Sequence, residues 1–456
     1  MSEEKGQSLY KAHAKIYPRE TKGRFQFLRK LAVFVLLGLF YVSPWLQWAG
    51  RQAVLFDLPA RRFHVFGLTF WPQDFILLAL LLIIAAVSLF FFTALAGRLF
   101  CGYACPQTVW TEVFIWIEQR IEGNRNKRIR LDKSPWSWNK LWRKALKHSI
   151  WVLLALWTGF TFVGFFSPIR ELAMRIFELS LGGWEWFWWL FYSFATWGNA
   201  GFLREQVCLY MCPYARFQSA MFDRDTLVIT YDAQRGEKRG ARKRGADPTA
   251  IGLGDCIDCQ QCVQVCPTGI DIRDGLQYEC IACAACVDIC DDVMDKMQYP
   301  KGLIRYTTEN AMNNKSVRVL RPRTLIYSVL WLALLTTFAW AVTNRTMLSF
   351  DVLRDRNALY RQVDQRVENI YQLKITNKSE LPVPLTIRLD GLDGASVQTR
   401  PESVVAINGE VTTVVTSVSM SLQSAPRGGV PMQVVLETDT GETVVHESRF
   451  FGPIER

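Results

Sequence analysis

Two short cysteine motifs in this sequence have the same form. Residues 101–106 read CGYACP and residues 208–213 read CLYMCP, so each is C-x-Y-x-C-P. Side chains four apart on a helix share a face, and soft thiolates bind Cu(I), zinc or an iron–sulfur cluster. Packing of small residues at helix ends is the alternative, which the repetition of Tyr and Pro disfavours. We expect one four-thiolate metal site, for copper or a third iron–sulfur cluster, made by Cys101, Cys105, Cys208 and Cys212.

The other eight cysteines stand in two runs of equal spacing. Each run, at 256–266 and at 280–290, is C-x2-C-x2-C-x3-C. This is the ligand spacing of proteins with two [4Fe–4S] clusters, in which the last cysteine of each run crosses to the other cluster. The cysteines expected at the first cluster are Cys256, Cys259, Cys262 and Cys290, and those at the second are Cys280, Cys283, Cys286 and Cys266.

Other cofactors fit the sequence less well. Zinc is not favoured, because two zinc sites of four thiolates each would need this same cysteine spacing and no histidine stands near the two runs. There is no GxGxxG on a strand–helix turn and no P-loop, so NAD and flavin are not expected. Haem is not expected either, because none of the four histidines lies within an apolar segment; they are residues 13, 64, 148 and 446.

The elements that must position these cysteines include membrane helices. Five segments have about the 20 apolar residues needed to cross a bilayer. They lie at roughly 31–49, 74–96, 150–168, 184–203 and 324–343. Both C-x-Y-x-C-P motifs directly follow such a segment, the second and the fourth.

The basic residues predict the orientation of these helices. Lys and Arg number eight in residues 1–30, eleven in 97–149 and seventeen in 204–323, against three in 50–73 and two in 169–183. By the positive-inside rule, the N-terminus is cytoplasmic and the C-terminus, after five spans, is external. All twelve cysteines then lie on the reducing side or at its boundary, which favours metal ligands over disulfides. The net charge of +11 thus reports membrane orientation and not nucleic-acid binding.

The expected fold is a membrane protein with an α-helical bundle of about five transmembrane helices, a bacterial-ferredoxin-like (α+β) cytoplasmic insert and a C-terminal immunoglobulin-like β-sandwich. The tail alternates apolar and polar residues in short runs separated by Gly, Pro, Asn and Asp, as in a seven-stranded sandwich. The domains are a basic cytoplasmic arm at 1–30, a four-helix membrane domain with both C-x-Y-x-C-P motifs at 31–231, a basic linker at 232–250, the ferredoxin-like domain at 251–305, the fifth helix at 324–343 and a periplasmic domain at 345–456.

Several stretches carry a family resemblance. CGYACPQTVWTEVF, CPYARFQSAMFDRDTLVITYD and DVMDKMQYPKGLIRY, with the two cysteine runs, resemble the CcoG/FixG/RdxA family of cbb3-type cytochrome c oxidase accessory proteins. The resemblance covers nearly the whole chain. It implies a protein of the bacterial cytoplasmic membrane that reduces Cu(II) to Cu(I), with copper and catalysis at Cys101, Cys105, Cys208 and Cys212. Implied partners are oxidase assembly factors and copper-transport proteins.

Two other functions stay open beside copper reduction. The membrane part is similar to NapH-type proteins, and the polar, Trp-rich fourth span suits a quinol dehydrogenase that feeds a partner reductase. The alternative without catalysis is an assembly scaffold whose external domain holds an oxidase subunit. The sequence does not identify the electron donor, for which quinol is one candidate, or decide whether the chain forms a homodimer. The only other partner expected is the lipid bilayer.

Overall fold

A computed structural model describes residues 15–219, 221–355, 358–379, 381–407, 411–439 and 441–453. The first part of the basic arm, with His13, lies outside these residues. The chain forms two compact units. One contains residues up to Leu68 together with Leu78–Thr337, and the other contains Thr69–Leu77 together with residues from Phe338 onward.

The described part of the chain contains fourteen α-helices. They are α1 Arg24–Val42, α2 Phe75–Ala96, α3 Leu99–Tyr103, α4 Pro106–Glu122, α5 Arg125–Lys133, α6 Trp138–Val163, α7 Ile169–Phe177, α8 Gly183–Thr196, α9 Pro213–Ser219, α10 Ala233–Gly236, α11 Gln261–Val265, α12 Ala285–Met297, α13 Glu309–Met312 and α14 Pro322–Thr343.

Among the described residues, four helical segments are long and apolar enough to cross a membrane, so the chain is a multi-pass membrane protein. They are Arg24–Trp45, Phe75–Ala96, Trp138–Val163 and Pro322–Thr343. The third begins a dozen residues before the predicted apolar run, because Ser137 caps α6 by accepting a hydrogen bond from the Lys140 N–H. The remaining predicted span, 184–203, is helical throughout but changes after α8 into a π-helix, Trp197–Leu203.

The two helices of the bundle that pack most closely are α6 and α8. A Cβ added to Gly159 of α6 would lie 2.3 Å from Oγ of Ser193 in α8, so only glycine fits there. The Trp189 indole of α8 also donates a 2.9 Å hydrogen bond to the Leu156 carbonyl. The polar residue Ser193 therefore faces a neighbouring helix, as expected of polar groups within a membrane segment.

Sixteen strands complete the described secondary structure. They are β1 Gln47–Trp48, β2 Arg51–Gln52, β3 Val54–Asp57, β4 Arg62–Val65, β5 Leu68–Phe70, β6 Val228–Tyr231, β7 Ile304–Thr307, β8 Leu348–Arg354, β9 Arg361–Val363, β10 Arg366–Asn377, β11 Val383–Asp390, β12 Ser396–Arg400, β13 Val404–Ala406, β14 Val411–Ser421, β15 Gly429–Thr438 and β16 Thr443–Phe451.

The ferredoxin-like module is closed by a strand pair. Strands β6 and β7 are antiparallel, with Val228 opposite Thr307. Between them lie both cysteine runs, α11 and α12, over a core that includes Ile229, Met294 and Leu303. The module thus takes in β6, which the sequence assigned to the membrane domain, because its apolar residues are needed to cover α12.

The second unit contains a β-sandwich. One sheet has the order β12-β14-β10-β8, with β9 also paired to β10, and the other has the order β13-β11-β15-β16. Alternate residues of the long strands point inward, and Leu373, Val414 and Leu436 are fully buried. The described residues give nine strands where the sequence predicted seven, because short strands β9 and β13 flank the long ones. No cysteine lies in this unit.

The N-terminal segment before α1 is held against the membrane domain and the module. The Arg19 N–H donates to the Gln264 carbonyl at 2.8 Å, and the Tyr17 hydroxyl donates to Asp132 at 2.6 Å. Asp288 of α12 then accepts the N–H groups of Phe25 and Gln26, at 3.2 and 2.7 Å. The first turn of α1 is therefore capped by a carboxylate from the ferredoxin-like module.

Candidate functional site

The two C-x-Y-x-C-P motifs end in the same backbone turn, although α3 leads into the first and a π-helix, Val207–Met211, leads into the second. In each, the N–H of the second cysteine donates to the carbonyl five residues earlier, Cys105 to Phe100 at 2.9 Å and Cys212 to Val207 at 2.8 Å. Both cysteines are extended, with ψ of 128° and 110°. Proline disfavours helix at the residue before it and suits the first helical position. Each motif is therefore a wide turn that ends where a new helix, α4 or α9, begins.

The four thiols of these motifs lie close together. Burial, followed by the nearby Cys105, raises the pKa of Cys101 to about 12; Arg98 opposes this rise, and Cys208 and Cys212 add to it. Burial and Cys105 likewise raise the pKa of Cys208 to about 11. All four cysteines are half-buried and free of disulfides. Without a metal these two thiols are therefore protonated at neutral pH, and a cation that binds them releases protons.

Two glutamines tie the motifs together. Gln107, after the first motif, donates to the carbonyls of Asn199 and Arg204 at 2.9 and 3.0 Å, just before the second motif. Gln218, after the second motif, donates to the Gly97 carbonyl at 3.0 Å, just before the first. The Cys101 thiol also donates to the Gln218 side chain, at 3.6 Å. The sequence analysis did not identify these glutamines, although each stands five or fewer residues after a C-P pair.

The first cysteine run lies around one cavity of the module. Cys256, Cys259 and Cys262 line it together with Cys290 from the end of the second run. A second cavity is lined by Cys280, Cys283 and Cys286 together with Cys266 from the end of the first run, and Cys262 touches it as well. The structure therefore brings together both sets of four thiols that the spacing grouped.

The two runs also share an unusual backbone. Asp258 and Gln260 have φ of 51° and 53°, and the equivalent Ala282 and Ala284 have φ of 52° and 58°. Alternating left-handed residues turn successive N–H groups inward and make a concavity for an anion. An iron–sulfur cluster with four thiolates is such an anion. The donor set and the loops therefore fit one [4Fe–4S] cluster in each cavity.

The first thiol motif touches the second cavity. A Cβ added to Gly102 would lie 2.7 Å from the Ile281 carbonyl oxygen and 3.0 Å from Cα of Cys283. Cys101 itself packs on the apolar cluster that contains Ile281, Cys283 and Ile289. The loop that lines the second cavity is thus in van der Waals contact with the backbone between two motif cysteines.

The four motif thiols do not form a closed coordination shell in this structure. Within the described ranges, no three His, Cys, Asp or Glu side chains lie close enough to hold a bare metal ion. The half-buried sulfurs lie on two wide turns.

Three sequence families match parts of the chain. A 4Fe-4S dicluster domain matches residues 203–309, and a 4Fe-4S binding domain matches residues 78–125. The IG-like fold at the C-terminus of FixG matches residues 338–453. The iron–sulfur module and the immunoglobulin-like fold of the tail are therefore confirmed. The match over 78–125 includes Cys101 and Cys105.

Similar proteins extend over most of the chain. Protein RdxA of Cereibacter sphaeroides is 38% identical over 438 residues, which cover 93% of this chain and 92% of RdxA. Nitrogen fixation protein FixG of Rhizobium meliloti is 36% identical and covers 86% of this chain and 82% of FixG. Ferredoxin-type protein NapH of Haemophilus influenzae is 21% identical over 43% of this chain and 57% of NapH.

Proposed function

Because this chain belongs to the FixG/RdxA family of iron–sulfur membrane proteins, we propose that it is a cupric reductase. Its substrate is Cu(II), which it reduces to Cu(I) at the paired thiols for copper-centre assembly of a cbb3-type cytochrome c oxidase. Copper-transport proteins and oxidase assembly factors are the partners that this role requires. The family and the iron–sulfur module make electron transfer the general class of activity.

One observation carries the proposal: the contact of Gly102 with the loop of Ile281 and Cys283. Bound [4Fe–4S] clusters supply single electrons, and Cu(II) needs one electron to become Cu(I). The contact leaves no room for solvent between that loop and the motif that carries Cys101 and Cys105. A copper ion held by those thiols would therefore lie next to the electron source.

The chain's own residues supply the chemistry around copper. Thiolates prefer Cu(I) to Cu(II), so binding by Cys101, Cys105, Cys208 and Cys212 favours the reduced ion. In the module, Cys256, Cys259, Cys262 and Cys290 would hold one cluster, and Cys280, Cys283, Cys286 and Cys266 the other. The half-buried position of the motif thiols limits access by water.

The proposed location is the bacterial cytoplasmic membrane, with the N-terminus and the ferredoxin-like module in the cytoplasm and the C-terminal unit in the periplasm. The distribution of Lys and Arg along the chain supports this orientation. Labelling with a membrane-impermeant thiol reagent tests it. Reaction of Cys105 or Cys212 from the periplasmic side would contradict it.

The double variant Cys101→Ala, Cys208→Ala tests the copper site in the purified chain. We expect loss of bound copper and a drop of at least about tenfold in Cu(II) reduction, because two of four soft ligands are removed. Leu209→Ala, in the same motif but without a thiol change, is the control. Unchanged copper content and rate in the double variant would contradict the assignment.

A different use of these thiols is favoured by the iron–sulfur family match over residues 78–125. In that case Cys101, Cys105, Cys208 and Cys212 hold a third cluster. The similarity to NapH gives the related function, a quinol dehydrogenase that passes electrons to a partner reductase. Iron analysis separates the two: about eight irons per chain support two clusters with copper at the thiols, and about twelve support three clusters.

A further inference from the structure

Arg98 lies where the membrane helix, the second thiol motif and the ferredoxin-like module meet. It follows α2 and stands three residues before Cys101, and only 5% of it is exposed. Its guanidinium donates to the carbonyls of Tyr278 and Cys280, the latter at 3.4 Å, and to the carbonyl of Ala215 in α9. One side chain therefore joins three segments around the thiols.

In the part of the chain that the structure describes, no carboxylate forms an ion pair with Arg98. Among the described residues, the hydrogen-bond partners of its guanidinium are those three carbonyl oxygens. Arg273, which lines the first cavity, is different, because it forms ion pairs with Asp258 and Asp271 at 2.5 and 2.6 Å. A buried cation without a counter-charge is costly unless an anion lies near it. The ionisable groups on which the charge of Arg98 acts include Cys280 of the second cavity, Cys101 and Cys208 of the thiol motifs and the Tyr214 hydroxyl.

We propose that Arg98 is the counter-charge that raises the reduction potential of the cluster held by Cys266, Cys280, Cys283 and Cys286 above that of the other cluster. A fixed positive charge stabilises the more negative, reduced form of a cluster. The electron is thereby held on the cluster whose loop contacts Gly102, and not on the other cluster, near which the charge of Arg273 is balanced by two carboxylates. This inference rests on the proposed function, because delivery of an electron to copper at the thiols requires the cluster nearer to them to have the higher reduction potential.

Redox titration of the full-length protein in detergent, followed by EPR, tests the proposal. In Arg98→Gln the higher-potential signal is expected to shift downward. A tenfold change in its oxidised-to-reduced ratio at a fixed potential corresponds to about 59 mV for one electron. In Arg273→Gln the lower-potential signal is expected to move instead. Unchanged potentials in Arg98→Gln with full iron content would overturn the proposal.

Arg98→Lys separates charge from architecture. Lysine keeps the positive charge but cannot reach three carbonyls at once. A potential in Arg98→Lys close to the native one supports the proposal, and a downward shift as large as that expected for Arg98→Gln would overturn it. Arg98→Lys therefore tests the proposal even where Arg98→Gln does not assemble. The redox titration is done without copper, so its result does not depend on Cu(II) reduction. A native chain that cannot reduce Cu(II) would refute the proposed function alone. Unchanged potentials in Arg98→Gln would refute this inference alone.

Discussion

Gly102 is the residue whose size determines how near the first thiol motif comes to the module. We expect Gly102→Ala to push the motif away from the Ile281 carbonyl, because the new Cβ would start 2.7 Å from that oxygen. Copper reduction should slow severalfold, since electron transfer becomes slower as the motif and the loop beside the second cavity move apart. Iron content and the EPR spectrum should stay native, which separates lost contact from a lost cluster.

The control for that change is Gly38→Ala. Gly38 lies in α1, and an added Cβ there meets nothing within 4 Å. Alanine also favours helix over glycine by about 1 kcal/mol. Equal slowing in both variants would show that the contact at Gly102 is irrelevant to the reaction.

Glu118 is a fully buried carboxylate that forms ion pairs with several cations. Its carboxylate lies 2.8 Å from Arg204, 3.3 Å from Lys15 and 3.4 Å from Arg128. Burial acts to raise the pKa of Glu118, but the attraction of Arg204, Lys15 and the other cations outweighs it and lowers the pKa to about 2 from an ordinary 4.5. The stabilisation from Glu118 is therefore complete above about pH 4.5 and is lost as the pH falls through about 2.

We expect thermal unfolding midpoints in detergent to fall with pH across that window in the native chain. Glu118→Gln should be less stable at pH 7 by roughly 3–5 kcal/mol, because buried cations lose their partner. Its midpoint should also fall less steeply between pH 4.5 and 2. Parallel pH profiles for both chains would refute the role of Glu118.

At the scale of elements, the ferredoxin-like module is joined to the membrane domain through Asp288. Asp288→Ala removes the acceptor for the N–H groups of Phe25 and Gln26. Loss of such a cap costs about 1 kcal/mol, so amide exchange in the first turn of α1 should speed up about fivefold. Asp292→Ala, which removes an exposed carboxylate of the same helix paired with Lys296, is the control. Equal exchange in both variants would contradict the capping role.

Much of the site could be predicted from the order and spacing of the cysteines, because three ligands of each cluster stand on one short loop and the fourth closes the run that belongs to the other cluster. The helix breaks at Cys105 and Cys212 follow from the proline after each cysteine, since proline disfavours helix at the residue before it. The positions of Arg98 and Gly102 could not be predicted. Their roles arise from contacts with Cys280 and Ile281, nearly 180 residues away, and nothing local marks them. The π-helix Trp197–Leu203 could not be predicted, because the sequence pattern of a helix does not show whether its hydrogen bonds span four residues or five.

At the scale of the whole molecule, the site and the β-sandwich belong to different compact units. Deleting residues 345–456 should therefore leave iron content and copper reduction of the purified chain unchanged. The deletion removes Lys378, which lies 2.7 Å from the buried Asp74 carboxylate within the second unit. It should therefore be combined with Asp74→Asn, so that no buried charge is left without its partner. Loss of iron from this variant would contradict the separation. Loss of oxidase assembly in cells with normal redox activity would indicate a docking role for the sandwich.

The Asp288 cap also has a consequence for biogenesis. The amides of Phe25 and Gln26 emerge from the ribosome more than 260 residues before the carboxylate that accepts them. The leading membrane helix is thus inserted with its first turn unfinished, and that turn is completed only after later synthesis and maturation of the module. Folding of the module therefore stabilises the first turn of α1, and a chain whose module does not fold keeps that turn without its cap.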